Sequence, residues 1–378
     1  MAFPKITARA EILNVFISLG LALLVTIWLY QTKFAGQITG FFRIGSVLPL
    51  SPLLDRQQTL IYPEELGYDG QQFLSIALDP WLSHPGTIAA LDQPSYRYRR
   101  ILYPLLGHIL GLGQTHWIPY ALVALNVVAI AVLIGITSLY YRSHRQPVVK
   151  ALWGLAIPGV WMVLSLSTAD LLASCWALAA LYGGHRHRFR LSALCISLGL
   201  LTRETLLIVW LAMLLNAMGR RQQSFLLPWI LALLPPLLWN IYVVSLHLPG
   251  GRGGGNFGFP LQGIVSKFAS LITTGWTFSN LYEGFLWLLL ILAFALSLSC
   301  GYYFATPNRS VLIAVHLYLG LAIVSSSFIL NYYLNYSRVF MDVYWLGLLL
   351  IHDQPFPQKT LFFGSCALAS GAFIFWQS

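Results

Sequence analysis

The run Ile12-Leu13-Asn14-Val15-Phe16-Ile17-Ser18-Leu19-Gly20-Leu21-Ala22-Leu23-Leu24-Val25-Thr26-Ile27-Trp28-Leu29-Tyr30 contains no charged side chain. At about 20 residues it is long enough for a helix to cross the hydrocarbon core of a bilayer. It exceeds the apolar segment of an ordinary signal peptide, and no small-residue cleavage pattern follows it. Lys5 and Arg9 precede it, which predicts a retained first span with a cytoplasmic N-terminus. The rest of the chain agrees with that solvent. Of 378 residues, 57 % are hydrophobic and only 9 % charged, against roughly 25 % charged in a soluble protein. Mean hydropathy is +0.70. This composition excludes a single soluble core, a disordered chain and a nucleic-acid binder. The expected class is all-α: a polytopic membrane protein, with residues 1–378 forming one transmembrane domain.

Outward from that run, apolar stretches predict spans near Trp117–Tyr140, Lys150–Ser167, Leu171–Gly183, Phe225–Leu246, Leu281–Phe304, Val311–Leu330, Leu334–Ile351 and Leu361–Trp376. Ile101–Leu112 is too short to cross and predicts a re-entrant or interfacial segment. Leu191–Asn216 reads as one long span or as two short arms meeting at Thr202-Arg203-Glu204-Thr205. Basic clusters at both ends (Arg186/Arg188/Arg190 and Arg220/Arg221) favour the hairpin, because a single span strands one cluster outside. The expected total is about eleven transmembrane helices, with the C-terminus outside.

Arg142, Arg145, Lys150 and the Arg186–Arg190 run then share the cytoplasmic side. Asp55, Glu64, Glu65, Asp69, Asp79, Asp92, Asp170, Glu204 and Glu283 collect opposite. The formal net charge of +10 is therefore a topology signal before it is a sign of any acidic partner. The expected location is multi-pass in a plasma (inner) membrane, with the active site extracytoplasmic. Cys175, Cys195, Cys300 and Cys366 fall inside apolar runs without CxxC spacing and read as buried hydrophobes. No HxxxH, HExxH or carboxylate cage suggests a metal. The run Gly250-Gly251-Arg252-Gly253-Gly254-Gly255-Asn256 lacks the Lys-Ser/Thr of a P-loop and reads as a lid or linker.

The first extracytoplasmic loop, residues 32–113, is far longer than a connection requires, and such loops usually carry function. Within it Gly67 and Gly70 bracket Tyr68-Asp69, followed by Gln71 and a helical pattern through Gln72, Phe73, Ile76 and Ala77. Asp69 reads either as a helix cap or as a presented catalytic carboxylate. The loop closes with Tyr96-Arg97-Tyr98-Arg99-Arg100-Ile101-Leu102-Tyr103-Pro104. Arginines on the side that disfavours positive charge point to a bound anion such as lipid phosphate, more than to an interfacial anchor. Asp170, Arg203-Glu204 and Arg338 lie at outer ends of spans, where ionisable groups are costly and default to function. The plainer readings are an ion pair of Arg203 with Glu204 or Asp170, and of Arg338 with Asp342 one turn on.

The topology and the Tyr68-Asp69-Gly70-Gln71 segment, followed by an Arg-rich Tyr-Pro segment, resemble the GT-C superfamily of integral-membrane glycosyltransferases. The likeness is nearest to small bacterial members that use polyprenyl-phosphate sugars. The resemblance implies that Asp69 is the catalytic first-loop acid. It implies that Arg97, Arg99 and Arg100, with Arg203 and Arg338, surround a lipid-phosphate leaving group. Tyr68, Gly70, Gln71, Tyr103, Asp170 and Glu204 complete the candidate substrate-binding set. The loop Asp stands without the paired acids some members have, and no sizeable soluble C-terminal domain follows.

The implied donor is a lipid-phosphate-linked sugar, and the acceptor a glycan, glycolipid or protein hydroxyl. Membrane lipid is a partner and nucleic acid is not. No cofactor is firmly implied, and a divalent ion at Asp69 is left open. One carboxylate with several arginines suits inverting transfer better than hydrolysis, which wants two closely placed carboxyls. The alternatives are a transporter or flippase of lipid-linked saccharides, and a surface-polysaccharide polymerase or ligase.

Overall fold

The computed structural model describes residues 9–219, 226–250, 254–303, 308–350 and 356–376. Lys5, Arg220, Arg221 and Arg252 lie outside them, as does the side chain of Cys300. Helix α1 (Arg9–Trp28) is prolonged by a π-helical turn, Leu29–Lys33. Its inner face carries Asn14, Ser18 and Ala22, small or polar residues that let it lie close against α6 (Ile118–Ser143). Asn14 donates from Nδ2 to Ser138 Oγ at 3.0 Å and to Val148 O at 2.8 Å. Its opposite face leaves Phe16 and Leu24 exposed, as a lipid-facing surface requires.

Between α1 and α6 the chain builds a compact segment of its own. Two-residue strands β1 (Ile44–Gly45) and β2 (Ile61–Tyr62) pair in parallel, Ile44 opposite Ile61. Helices α2 (Asp69–Leu78), α3 (Pro85–Ala89), α4 (Pro94–Tyr98) and α5 (Leu102–Leu110) follow. Asp79 closes the turn after α2, accepting from Ser83 N, His84 N and Thr87 Oγ1, each at 2.9 Å. Helix α5 occupies the predicted re-entrant or interfacial stretch.

A 3₁₀ segment, Val148–Ala156, meets α7 (Pro158–Leu166) at a bend of 59°. Pro158 causes the break: it has no N–H to continue the ladder, and it holds Ile157 extended. Helix α8 (Asp170–His185) returns, and α9 (Phe189–Thr202) and α10 (Leu206–Gly219) form an antiparallel hairpin. Gly199 faces Leu206 near its tip, and Ser192 Oγ meets Met213 Sδ at 3.8 Å further down. This is the two-arm arrangement, with Arg203-Glu204 at the turn.

Helices α11 (Leu226–Leu231) and α12 (Leu234–Ser245) run as one apolar unit. After them come α13 (Gln262–Thr273), α14 (Phe278–Tyr303) and α15 (Arg309–Val324). Helices α16 (Ser327–Leu330), α17 (Tyr333–Val339), α18 (Met341–Leu350) and α19 (Phe356–Trp376) close the order. The core lies among α6, α7, α8, α15 and α18, where Ile130, Val160, Leu171, Tyr318 and Trp345 are buried together.

Among the described residues five helices are long and apolar enough to cross a membrane, or six if the bent Val148–Leu166 pair counts as one. The chain is thus an all-helical membrane-type protein apart from its two short strands. The remaining predicted spans are interrupted or short. The Val311–Leu330 run breaks at Ser325-Ser326, where Ser325 bridges Phe257, and the Leu334–Ile351 run breaks at Phe340. Helices α9, α10, α15 and α18 are apolar but only 10–17 residues long. Hydropathy averages over such runs and does not register a single residue, polar or apolar, at which a helix stops inside them.

The two ends of the bundle differ. Arg142 at the end of α6 pairs with Glu11 at the start of α1 at 2.9 Å. The ends of α6 and α8 meet there through His144 and His185, stacked with ring centres 4.6 Å apart. Asp170 begins α8 at its other end, about 24 Å away along a 16-residue helix.

Candidate functional site

Each residue around Asp69 has a local reason to be there. Gly67 sits at φ +85°, and a Cβ on it would strike Gln71 Oε1 and Gly45 N, so glycine is required. Gln71 Oε1 accepts from Gly45 N at 2.9 Å, tying α2 to β1. Gly70 approaches the end of α7 so closely that a Cβ would lie 2.2 Å from Leu166 O. Gly70 and Gln71 therefore serve as scaffold for α2. Tyr68 precedes the helix in extended conformation, and its hydroxyl donates to Asn335 Oδ1 at 2.7 Å.

Asp69 is the first residue of α2, and Tyr68 holds the cap position. Asp69 Oδ1 accepts from Arg97 Nη1 at 2.7 Å and Oδ2 from Arg338 Nη2 at 2.9 Å. Arg97 is held in turn by Asp92, which takes its Nε at 2.8 Å and its Nη2 at 2.7 Å. Arg338 also reaches Asp170 Oδ2 at 3.4 Å, and its guanidinium lies over the Tyr68 ring, 4.5 Å from the centre. Asp170 pairs with Arg203 as well and accepts from Thr168 Oγ1 at 2.5 Å. Arg100 donates from Nε to Glu204 Oε2 at 2.8 Å and from Nη2 to the Tyr96 hydroxyl.

Four arginines and four carboxylates thus converge from α2, the α4 region, the start of α8, the α9–α10 tip and α17. Asp69 and Asp170 both sit in first helical turns, and Arg338 in a last turn, where helix dipoles favour those signs. Burial of Asp69 opposes its ionisation, but Arg97, Arg338 and Arg100 outweigh it and hold the carboxyl well below the usual range. Burial likewise opposes the charge on Arg97, and Asp69 and Asp92 more than restore it. The cluster opens at Glu204, Asp92 and Asp69, and is closed at Asp170 and Arg338. The side chain of Glu204 is 38 % exposed and that of Asp69 18 %, against 5 % for Arg338 and Asp170.

Some expectations change. The loop acid does not stand alone, because folding brings Asp92, Asp170 and Glu204 to Asp69. Arg338 does not pair with Asp342, since Phe340 interrupts the helix between them and breaks the one-turn spacing. Asp342 accepts from Ser174 Oγ at 2.5 Å and the Tyr318 hydroxyl at 2.6 Å. Tyr103 lies apart from the cluster, its buried hydroxyl bonded to Leu122 O and Ser167 Oγ and accepting from Asn126 Nδ2, all at 3.0 Å. The Nε of Arg99 is buried with no hydrogen-bond partner among the described residues. Asn256, at the end of the glycine run, donates to the Tyr96 hydroxyl at 3.2 Å, so that linker reaches the site. Sequence reading did not foresee this contact, the Tyr68–Asn335 bond or the Asp92 fork on Arg97. Only the short Asp92–Arg97 spacing carried any signal.

An apolar groove of about 420 Å³ is lined by Trp81, Ile101, Leu105, Leu201, Leu238 and Trp239 among others. No charged residue lines the groove, but its wall continues the chain from the cluster, Ile101 directly following Arg100 and Leu201 lying two residues before Arg203. Trp239 Nε1 donates to Tyr98 O at 3.0 Å and fixes that wall. A second cavity, of about 240 Å³, lies at the other end of α8, among His185, His187, Asn216, Trp229, Asn308 and Ser310. Among the described residues no three His, Cys, Asp or Glu side chains gather as a metal site.

No protein-family model, curated protein or solved structure matches this chain.

Proposed function

We propose that the protein is an inverting membrane glycosyltransferase. It moves a sugar from a polyprenyl-phosphate or related lipid-phosphate donor to an acceptor hydroxyl at the extracytoplasmic face. The observation that carries this reading is the arginine–carboxylate cluster around Asp69, together with an apolar groove whose wall continues the chain from Arg100. An amphiphile with an anionic head and a hydrocarbon tail suits both halves at once. The separation of the Arg142/Arg186/Arg188 end from the cluster supports the orientation.

In the reaction, Asp69 takes the proton of the acceptor hydroxyl. The acceptor oxygen attacks the anomeric carbon from the face opposite the phosphate. The bond from that carbon to the phosphate oxygen breaks, and its electron pair leaves with the lipid phosphate. Guanidinium groups of Arg97, Arg338 and Arg203 stabilise the departing charge. Hydrolysis with retention is a poorer fit, because a shared guanidinium lies between Asp69 and each of its acidic neighbours, Asp92 and Asp170.

The test is transfer of radiolabelled sugar from a polyprenyl-phosphate donor to extracted envelope glycolipid by reconstituted protein. Asp69→Asn should remain folded and inserted yet lose at least a hundredfold in rate, within the usual range for a general base. Unchanged transfer in that variant would overturn the reading. A transporter or flippase is favoured by one observation, the broken helices at Ile157-Pro158 and Phe340. It predicts unaltered donor on the opposite side of a proteoliposome and no new glycoside. A polymerase or ligase predicts glycoside whose size grows with each turnover.

A further inference from the structure

We infer that in the empty site Asp69 occupies the anion seat offered by Arg97 and Arg338, and that an incoming lipid phosphate takes over those guanidiniums and frees the carboxylate to act. The inference rests on the proposed transfer reaction. Its grounds are geometric.

Both oxygens of Asp69 already accept charged hydrogen bonds, at 2.7 Å from Arg97 and 2.9 Å from Arg338. A carboxylate held this way is a poor proton acceptor, because its ionised form is the one the bonds favour. Each nitrogen of Arg97 is engaged, Nε and Nη2 on Asp92 and Nη1 on Asp69. A phosphate on the Nη1 edge of Arg97 and the Nη2 edge of Arg338 would occupy the place that the Asp69 carboxylate now fills, so the two anions compete for one seat.

The sugar donor is a phosphodiester with one charge and two free oxygens, matching the carboxylate it displaces, so the exchange draws on a further hydrogen-bond donor in Arg203. The monoester left after transfer brings more charge and more acceptor oxygens and holds the seat more strongly. Asp92 and Asp170 act as positioning residues. Their grips on Arg97 and Arg338 keep both guanidiniums in place when Asp69 lets go. The Nε of Arg203 gives a landing point that needs no exchange, being buried and without a hydrogen-bond partner among the described residues. In the transfer reaction the base then becomes competent only with donor bound.

The test is binding of farnesyl phosphate, and separately of inorganic phosphate, to protein in lipid nanodiscs. Asp69→Asn should bind farnesyl phosphate about tenfold more tightly than the wild type, as expected when a close competing charge is removed, while transfer is lost. Asp69→Ser, a residue suited to a helix start, should shift affinity the same way and covers the case in which the Asn variant does not fold. Tightening toward both probes assigns the effect to the head group, and tightening toward farnesyl phosphate alone shows that the tail must dock first; either result supports the exchange. Unchanged or weaker binding by the variants, with wild-type binding intact, overturns the masking and leaves the transfer reading standing. Absence of binding in wild type and variants alike overturns both.

Discussion

Asp342 and Asp170 show two ways to bury a carboxylate. Asp170 has arginines, whereas among the described residues Asp342 is hydrogen-bonded by the hydroxyls of Ser174 and Tyr318. Replacing Asp342 by Leu should strand both hydroxyls and cost roughly 1–3 kcal/mol for each, read as a lower thermal midpoint in detergent. Asp342→Asn keeps an acceptor and should cost much less. Arg338→Ala removes the partner shared by Asp69 and Asp170, and breaking a buried pair costs about 3–5 kcal/mol. Arg338→Lys should recover part of the stability but little activity, because a point charge cannot span two carboxylates. Asp69 also predicts a pH dependence. Its carboxyl sits below the ordinary 3.8, so the stability it contributes is complete above that pH and is lost as the pH falls toward the depressed value. Thermal midpoints measured from pH 7 to 3 should show an acid-side slope that flattens in Asp69→Asn.

Among the elements, α2 and the α9–α10 hairpin decide where the charges stand. Gly70→Ala should force α2 away from Leu166 O, an overpacking worth about 1–3 kcal/mol, and should lower transfer by displacing Asp69. The groove wall gives a cleaner separation of roles. Leu238 is more than half exposed along it. Leu238→Asp should raise KM roughly tenfold or more for a long-chain donor, since each buried methylene contributes about 0.8 kcal/mol. The same variant should leave a short-chain donor nearly unaffected; equal loss for both donors would show that the tail lies elsewhere. Much of the site was legible in the sequence for one physical reason. Charge is expensive in an apolar chain, so Asp69, Arg97, Arg100, Asp170, Arg203, Glu204 and Arg338 stood out and do converge. Gly70, Gln71 and Tyr103 were grouped with them by adjacency along the chain, which does not report which way a side chain is used. The helix breaks were hidden because Ser325 and Phe340 barely change the hydropathy of their runs.

At the scale of the whole molecule, the cluster imposes an order on assembly. Asp170 comes from the start of α8, Arg203 from the hairpin tip and Arg338 from α17, and each is buried. Asp170 and Arg203 find each other as soon as α8 meets the hairpin, whereas Arg338, made long after both, brings the last guanidinium and closes the cluster onto Asp69. A chain in which α17 docks wrongly therefore buries Asp69 one partner short, a cost that only the finished packing removes.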